Sequence, residues 1–299
     1  MKVSSAKRTG LKSWQKGFGI LTIAFILLIM AISTAHAGGC CDVVKSGLVA
    51  CYPFDGNAND ASGNGNHGTV NGAILTTDKF GNQNSAYKFD GMNNDIRIPD
   101  KPSQQISANR ISISAWITLE KDIPNTQWRV VNKQQFWGAA WGLELFGNGY
   151  GYPSGYGSLY PGGYGYSVGQ GNNLNFHNSD GSTYVNCTVS EVSLIPGTTY
   201  HVAVAAENNV AKIYIDGNLI KTCQNMLGIP SAINSDIVIG SLSESSDFFF
   251  NGIIDDVRIY NRAISEAEIR QLYSSISTIT ASAGTGGTIS PSGSVSVNC

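Results

Sequence analysis

The chain has 299 residues and a formal net charge of −2, so it lacks the basic excess that nucleic-acid-binding proteins carry. Charged residues make up only 13% of it, about half of the roughly 25% found in typical soluble domains. Aromatic residues reach 10%, which together with the low charge excludes an intrinsically disordered chain. We therefore expect a folded protein of one or two domains.

The first 37 residues have the three parts of a secretory signal peptide. A basic start without acids precedes the uncharged run Phe18–Ala35, and Ala35–Ala37 supplies the small residues of a cleavage site. Removal of residues 1–37 would leave a formal net charge of −7, so the mature protein should neither bind nucleic acid nor insert into a membrane. We predict a secreted or cell-surface protein. An uncleaved anchor and lipidation at Cys40 or Cys41 are the alternatives.

All six cysteines follow the predicted cleavage site, and disulfides are the usual state of cysteines in an exported protein. No pair has the C-x-x-C spacing of a thiol zinc site or a thioredoxin-like motif. We predict a Cys187–Cys223 disulfide, because the two residues flank the same block of strands. A bond of Cys51 with Cys40 or Cys41 is the next choice.

Alternation of apolar and polar residues predicts many short strands after residue 47. In chain order, the predicted strands are Leu48–Phe54, Ala86–Phe89, Asp95–Ile98, Ile111–Leu119, Trp128–Asn132, Gly142–Leu145, Leu174–Phe176, Thr183–Thr188, Thr199–Ala205, Ala211–Ile215, Asp236–Ile239 and Ile253–Tyr260. Asp-Gly pairs, which suit tight hairpin turns, separate several of them, at residues 55–56, 90–91, 180–181 and 216–217. This pattern indicates an antiparallel sandwich.

One short helix is predicted near the end of the sandwich. Ser265 and Glu268 have the spacing of a capping box. Ile269, Leu272 and Tyr273 follow with helical spacing, so the helix should pack one face on the edge of the sandwich.

Residues 147–171 differ from the rest of the chain, because they contain ten Gly and six Tyr and cannot form a good strand. This composition predicts either a poorly ordered surface loop or a loop at the rim of the sandwich that faces a ligand. The second case is included because loops on rigid sandwiches often contain binding residues. For the second case the candidate ligand-binding residues are Trp137, Trp141, Tyr150, Tyr152 and Tyr156. A tryptophan within a strand could instead belong to the core.

Four groups of motifs, in order along the chain, resemble the laminin-G-like, concanavalin A-like jelly-roll family of exported bacterial proteins. They are Gly47–Thr69, then Tyr87–Gly91 with Ile96–Ile98 and Ile113–Ile117, then Tyr200–Lys221, and finally Asn251–Arg270. The resemblance implies an all-β, two-sheet antiparallel jelly-roll sandwich with one short C-terminal helix over residues 42–277. Residues 278–299 would begin a β-repeat module or linker that is cut short.

The same resemblance implies a possible calcium site. In this family the first and last strands are neighbours, which would bring the loop 55–66 close to Asp255 and Asp256. The candidate ligands are Asp60 and Asp255, with Asn57 and Asn64 as weaker ones, because Ca²⁺ prefers carboxylate and amide oxygens. Alternatively, these side chains only cap turns.

Catalytic motifs are missing from the sequence. Retaining glycanases of this fold place two carboxylates ~5–5.5 Å apart, whereas Glu144 is a lone acid in its strand. We therefore predict a non-enzymatic recognition module that binds carbohydrate or a surface protein. The alternatives are a structural or adhesive spacer of a larger surface protein and, more weakly, a glycan-cleaving enzyme that uses Glu144.

Overall fold

The computed structural model describes residues 40–106, 109–124, 126–134, 138–147, 171–229, 233–242, 248–274, 276–281 and 293–298. The predicted signal peptide lies outside these residues. Within the described ranges no helix is long and apolar enough to cross a membrane.

Seventeen strands and one α-helix are described, with short 3₁₀ turns at Cys40–Asp42 and Pro102–Gln104. The strands are β1 (Leu48–Tyr52), β2 (Thr69–Asn71), β3 (Ile74–Thr76), β4 (Ala86–Asp90), β5 (Asp95–Ile98), β6 (Arg110–Leu119), β7 (Gln127–Gln134), β8 (Ala139–Phe146), β9 (Asn173–Asp180), β10 (Tyr184–Thr188), β11 (Thr199–Glu207), β12 (Val210–Ile215), β13 (Asn218–Cys223), β14 (Ile237–Ile239), β15 (Asn251–Tyr260), β16 (Ile276–Ala281) and β17 (Gly293–Asn298). The helix is α1 (Glu266–Tyr273).

Two antiparallel sheets form the sandwich. The first has the order β13-β12-β11-β6-β15-β4-β3, with β1 also paired to β15, and the second has the order β10-β9-β8-β7-β14-β5-β2. The predicted jelly-roll sandwich is confirmed, and the structure has a strand at each predicted position. Among the described strands, β16 and β17 pair with each other alone, in a small sheet of their own.

The core lies between the two sheets and follows from the period of two along each strand. In β6, Ile113, Ala115 and Ile117 point into it, and the alternate residues point outward. The largest side chains of the main core include Tyr52, Phe54, Phe89, Trp128, Trp141, Phe176 and Phe250.

The helix α1 packs on the outer face of the first sheet. The predicted capping box is present, since Ser265 N–H donates to Glu268 Oε2 over 2.7 Å and Glu268 N–H donates to Ser265 Oγ over 3.3 Å. Ile269 and Leu272 are buried in a second, smaller cluster that includes Tyr214 of the sheet. The helix thus covers one end of this face.

The hairpin between β12 and β13 has the two-residue turn that an Asp-Gly pair favours. Asp216 and Gly217 both have positive φ, 49° and 74°, as a type I′ turn requires. A Cβ at position 217 would also come within 3.2 Å of the Tyr273 ring. Glycine is therefore needed both for the turn and for the approach of α1.

Two disulfides are described. Cys187–Cys223 joins β10 of the second sheet to β13 of the first, as predicted. Cys51 is bonded to Cys41, one of the two partners that the sequence left open for it. One bond therefore links edge strands of the two sheets, and the other ties the N-terminal turn to β1.

We predict that the longer disulfide loop contributes more stability. Cys187 and Cys223 are 36 residues apart, whereas Cys41 and Cys51 are 10 apart. Loop entropy in the unfolded chain then makes Cys187→Ala/Cys223→Ala costlier than Cys41→Ala/Cys51→Ala by about 1 kcal/mol. Urea unfolding of both double variants measures the difference, and an equal or reversed order would contradict the entropic explanation.

Candidate functional site

The outer face of the second sheet is lined with polar side chains. Its central part carries Gln127, Arg129, Asn132, Glu144, Asn173, Asn175, His177 and Ser179, all buried. These residues alternate along β7, β8 and β9 with the apolar residues of the core.

Glu144 lies on this face and is held by several hydrogen-bond partners. Arg129 Nη1 pairs with Glu144 Oε2, and Asn175 Nδ2 donates to Oε1 over 2.7 Å. His177 Nδ1 lies 3.0 Å from the same Oε1. Burial, and then the Arg129 guanidinium, hold the pKa of His177 well below its usual value, so the imidazole is neutral. None of these partners is a carboxylate, and the arrangement commits Glu144 to an ion pair with Arg129.

The predicted ligand-binding residues separate into two groups. Trp141 is only 1% exposed and belongs to the main core, because it has the same parity in β8 as Leu143 and Leu145. It offers no stacking face to a ligand, which corrects the prediction for that residue. The other four predicted ligand-binding residues, Trp137, Tyr150, Tyr152 and Tyr156, lie outside the described residues. Phe146 and Asn173, which flank the segment 147–171, are cross-strand partners at the edge of the polar face.

The predicted calcium ligand Asp60 is fully engaged by the loop around it. Its Oδ1 accepts from the N–H groups of Cys51 and Ser62 at 3.0 and 2.9 Å. Its Oδ2 accepts from Ser62 Oγ at 2.8 Å and from Asn66 N–H at 2.9 Å. The carboxylate therefore organises the loop through N–H and O–H donors.

The weaker candidates also act as turn-forming residues. Asn64 Nδ2 donates to the Val49 carbonyl over 2.9 Å, and Asn57 Oδ1 accepts from Asn59 N–H over 2.8 Å. The neighbours of Asp255 are Asp256, Lys79 and Asp78. No contact in the described ranges joins Asp60 to Asp255, and those ranges contain no group of three or more His, Cys, Asp or Glu residues suited to a metal. Calcium at Asp60 would require the loop to exchange its donors for a cation.

A small cavity of about 110 Å³ opens on the outer face of the first sheet, on the side away from the core. Its lining includes Asp78, Lys79, Trp116, Thr118, Thr199 and Asp255. We call it the Trp116 pocket. It combines an indole, two hydroxyls, an ammonium and carboxyl groups in one opening.

Trp116 is the central group of this pocket. The indole is 8% exposed, and its Nε1 has no hydrogen-bond partner in the part of the chain that the structure describes. Lys79 Nζ lies 3.9 Å from the Trp116 ring centroid and 4.1 Å from that of Phe80. The Tyr273 ring stacks on the indole at 5.7 Å. Phe80 and Tyr273 are 41% and 42% exposed, so aromatic surface continues from the pocket into solvent.

The His201 side chain packs against the Trp116 indole. Its ring lies 5.2 Å from that of Trp116, and neither ring nitrogen has a hydrogen-bond partner among the described residues. Burial, helped by the nearby Arg258 and Lys79 charges, lowers the pKa of His201 to about 3. The imidazole is therefore neutral at physiological pH and packs as an aromatic ring.

Sequence reasoning missed this pocket, although β6 contains a signal for it. Along Ile111–Leu119 the odd positions are apolar and fill the core, while Ser112, Ser114 and Thr118 point outward. Trp116 stands in the polar register, where a large aromatic residue is unusual for an outer face. Lys79 and His201 are distant in sequence and offered no comparable signal.

Comparison with known sequences identifies the family. The sequence profile of the concanavalin A-like lectin/glucanases superfamily matches residues 89–270, more than half of the chain. The chain belongs to this superfamily. No curated protein matches it significantly.

Solved structures with the same fold come from proteins with different partners. Domain 4 of AbnA, an extracellular GH43 arabinanase from Geobacillus stearothermophilus solved with arabinotriose, is 22% identical, with a TM-score of 0.57 over 76% of this chain and 98% of that one. The binding domain of botulinum neurotoxin DC, solved with rat synaptotagmin II, is 15% identical, with a TM-score of 0.56 over 77% of this chain and 52% of that one. The chain spans only about half the length of the toxin binding domain that it matches. At these identities the likeness shows the fold alone.

We predict that Glu144→Gln destabilises the fold. The substitution leaves the Arg129 guanidinium buried without a counter-charge, at a cost of about 3 kcal/mol. Urea unfolding of the variant measures the loss. The double variant Arg129→Met/Glu144→Leu removes both charges and should lose less than the single one. A larger loss in the double variant would show that packing, rather than charge, dominates here.

The calcium prediction has a direct test in thermal melts of the protein with calcium and with chelator. If a calcium ion binds at Asp60, the melting temperature rises in calcium, because a ligand of the native state alone stabilises it. Asp60→Asn should then abolish the rise, while Asp180→Asn, at an exposed turn of the second sheet, should keep it. Equal melting temperatures of the wild type in the two buffers would contradict a calcium site in this loop.

Proposed function

We propose that the protein is an exported, non-catalytic recognition module that binds a saccharide at the Trp116 pocket. The observation that carries the proposal is a buried indole N–H without a hydrogen-bond partner among the described residues, in a side chain that lines a pocket together with hydroxyl and carboxyl groups. An unsatisfied buried donor costs about 1–3 kcal/mol, which a ligand oxygen would recover. Export itself is supported by the two disulfides, which persist in oxidising compartments.

The composition of the pocket suits a hydroxylated ligand. Thr118 Oγ1 and Thr199 Oγ1 lie 2.7 Å apart and can exchange donor and acceptor roles, as sugar hydroxyls require. Exposed rings such as Tyr273 and Phe80 offer flat apolar surface to the C–H faces of a sugar. Membership of a superfamily of lectins and glucanases supports the same ligand class.

Two features support recognition rather than catalysis. Glu144, the candidate acid of the weaker enzyme hypothesis, is committed to Arg129 and buried without a carboxylate partner in its described network. Glycoside hydrolysis ordinarily needs a second carboxyl group within about 10 Å to act as nucleophile or base. Glycan hydrolysis that is lost in Glu144→Gln, with the fold intact, would contradict this part of the proposal.

The test is a glycan array probed with the exported protein, followed by calorimetry on the glycans that bind. Trp116→Phe keeps an aromatic ring but deletes the indole N–H, so affinity should fall about tenfold, the value of one hydrogen bond of roughly 1.4 kcal/mol. Trp128→Phe is the matched control, because Trp128 is a core residue on the second sheet, and it should keep the affinity.

Either of two results would overturn the proposal. Binding that is unaffected by Trp116→Phe would show that the ligand binds elsewhere, and the segment 147–171 would be the next candidate. An empty array would instead favour a surface protein as partner or a spacer role in a larger assembly.

A further inference from the structure

Lys79 and Asp256 form a buried pair beneath the Trp116 pocket. Their Nζ and Oδ2 atoms are 3.8 Å apart, and the two side chains are only 9% and 5% exposed. This pair differs from the Lys88–Glu120 ion pair on the same sheet, whose side chains are 40% and 38% exposed. An amine and a carboxyl group are thus held together away from bulk water.

A rigid turn presents the lysine. Asp78 Oδ1 accepts from the N–H groups of Phe80 and Asn82, each over 2.8 Å, and Asp78 N–H donates to the Asn82 carbonyl over 3.0 Å. Lys79 lies inside this turn, and its Nζ rests against the Trp116 ring. The amine therefore approaches β15 from a fixed position.

The carboxyl group is held equally firmly. Arg258 Nη2 donates to Asp256 Oδ1 over 3.1 Å, on the oxygen opposite to the one that approaches Lys79. Asp255 adjoins it, and its Oδ1 accepts from Asp256 N–H over 2.7 Å. The Arg258 guanidinium thus holds one oxygen of the Asp256 carboxyl group, and the Asp255 carboxyl group is bonded to the backbone of the same residue.

The ionisation of these groups favours proton exchange. Burial lowers the pKa of Lys79, which eases loss of a proton from the ammonium. Burial, and then the Asp256 carboxylate, raise the pKa of Asp255 well above its usual range, which favours uptake of a proton by this carboxyl group.

We propose that Lys79 and Asp256 become joined by an intramolecular isopeptide bond, with Asp255 as the proton shuttle. Lys79 Nζ loses a proton to Asp255 and attacks Cγ of Asp256, and the Arg258 guanidinium stabilises the charge that develops on Oδ1. Asp255 returns the proton to the departing Oδ2, and the second ammonium proton leaves with it.

The balance is that of a condensation. One N–C bond forms and one C–O bond breaks, and two ammonium protons leave with one carboxylate oxygen as water. No oxidant, nucleotide or metal is consumed. Fixed proximity drives the reaction, since it replaces an encounter in solution by an intramolecular step. The adjoining Trp116 pocket, which both Lys79 and Asp255 line, gives the water a way out.

The bond would connect the turn after β3 to the bulge of β15, two sites 177 residues apart in the sequence. It would fix the wall of the Trp116 pocket covalently. This inference is independent of the ligand, so its failure leaves the saccharide proposal untouched.

Mass spectrometry of the exported, reduced and denatured protein tests the bond. The intact mass should be lower than that of the mature sequence by one water molecule. Trypsin should fail to cleave after Lys79, and the peptide containing it should be found joined to the one that ends at Arg258. A full-length mass without the deficit, and cleavage after Lys79, would show that the pair is only an ion pair and would overturn the proposal.

Variants sharpen the assignment. Lys79→Arg should restore the full mass, and Asp256→Asn should release ammonia instead of water and give the same cross-linked product. Asp255→Ala should leave a fraction of the chains unlinked. Lys88→Arg is the matched control and should keep the deficit of one water. A deficit that persists in Lys79→Arg would assign the lost water to another site and overturn the proposal.

Discussion

The strand β15 is the element on which the rest of the first sheet depends. Along one edge it pairs with β6 over its whole length, and along the other it pairs first with β4 and then with β1. The change of partner occurs at Asp255 and Asp256, where a bulge shifts the register against β6. Asp256 has a φ of 52°, in the left-handed region that Asp tolerates better than most residues. This one irregularity lets the first and last strands of the sandwich lie side by side.

The bulge also decides where charges are buried. Ile254 and Val257 both point into the core, so the two residues between them are directed toward the outer face. Arg258 follows in the outward register and pairs with Asp256. Carboxylates next to each other on a regular strand would point to opposite faces. A bulge is the device that collects them on one side, and such bulges are common next to functional sites.

The outer faces of the two sheets use polar residues in different ways. On the second sheet Arg129, Asn175 and His177 all contact the carboxylate of Glu144. On the first sheet Trp116 lines a cavity, and its indole N–H has no hydrogen-bond partner among the described residues. Polar groups that bond to one another stabilise a fold, whereas a polar atom without a partner beside an opening is one that a ligand can satisfy.

Much of the fold could be predicted from the sequence, because alternation and capping are local signals. The capping box of α1 and the strands of the core were readable in this way. The strands β2, β3 and β13 were not: β2 and β3 have only three residues each, and β13 has no buried residue to set an alternating pattern. The site was harder, because Lys79, Trp116 and Asp256 are far apart in the chain and only the fold brings them together. Trp141 could have been assigned correctly from its parity with Leu143.

The buried charged groups next to Trp116 destabilise the fold unless they are compensated. Transfer of an ion from water to a protein interior costs several kcal/mol even after relaxation, and Lys79, Asp256 and Arg258 are all buried. The raised pKa of Asp255 favours transfer of a proton to this carboxyl group, which would reduce the buried charge. The Trp116 ring adds a cation–π contact to Lys79. A neutral amide between Lys79 and Asp256 would remove two of the remaining charges and leave Arg258 to bond with amide oxygen. The same burial that makes this ion pair costly thus also favours its conversion into an uncharged link.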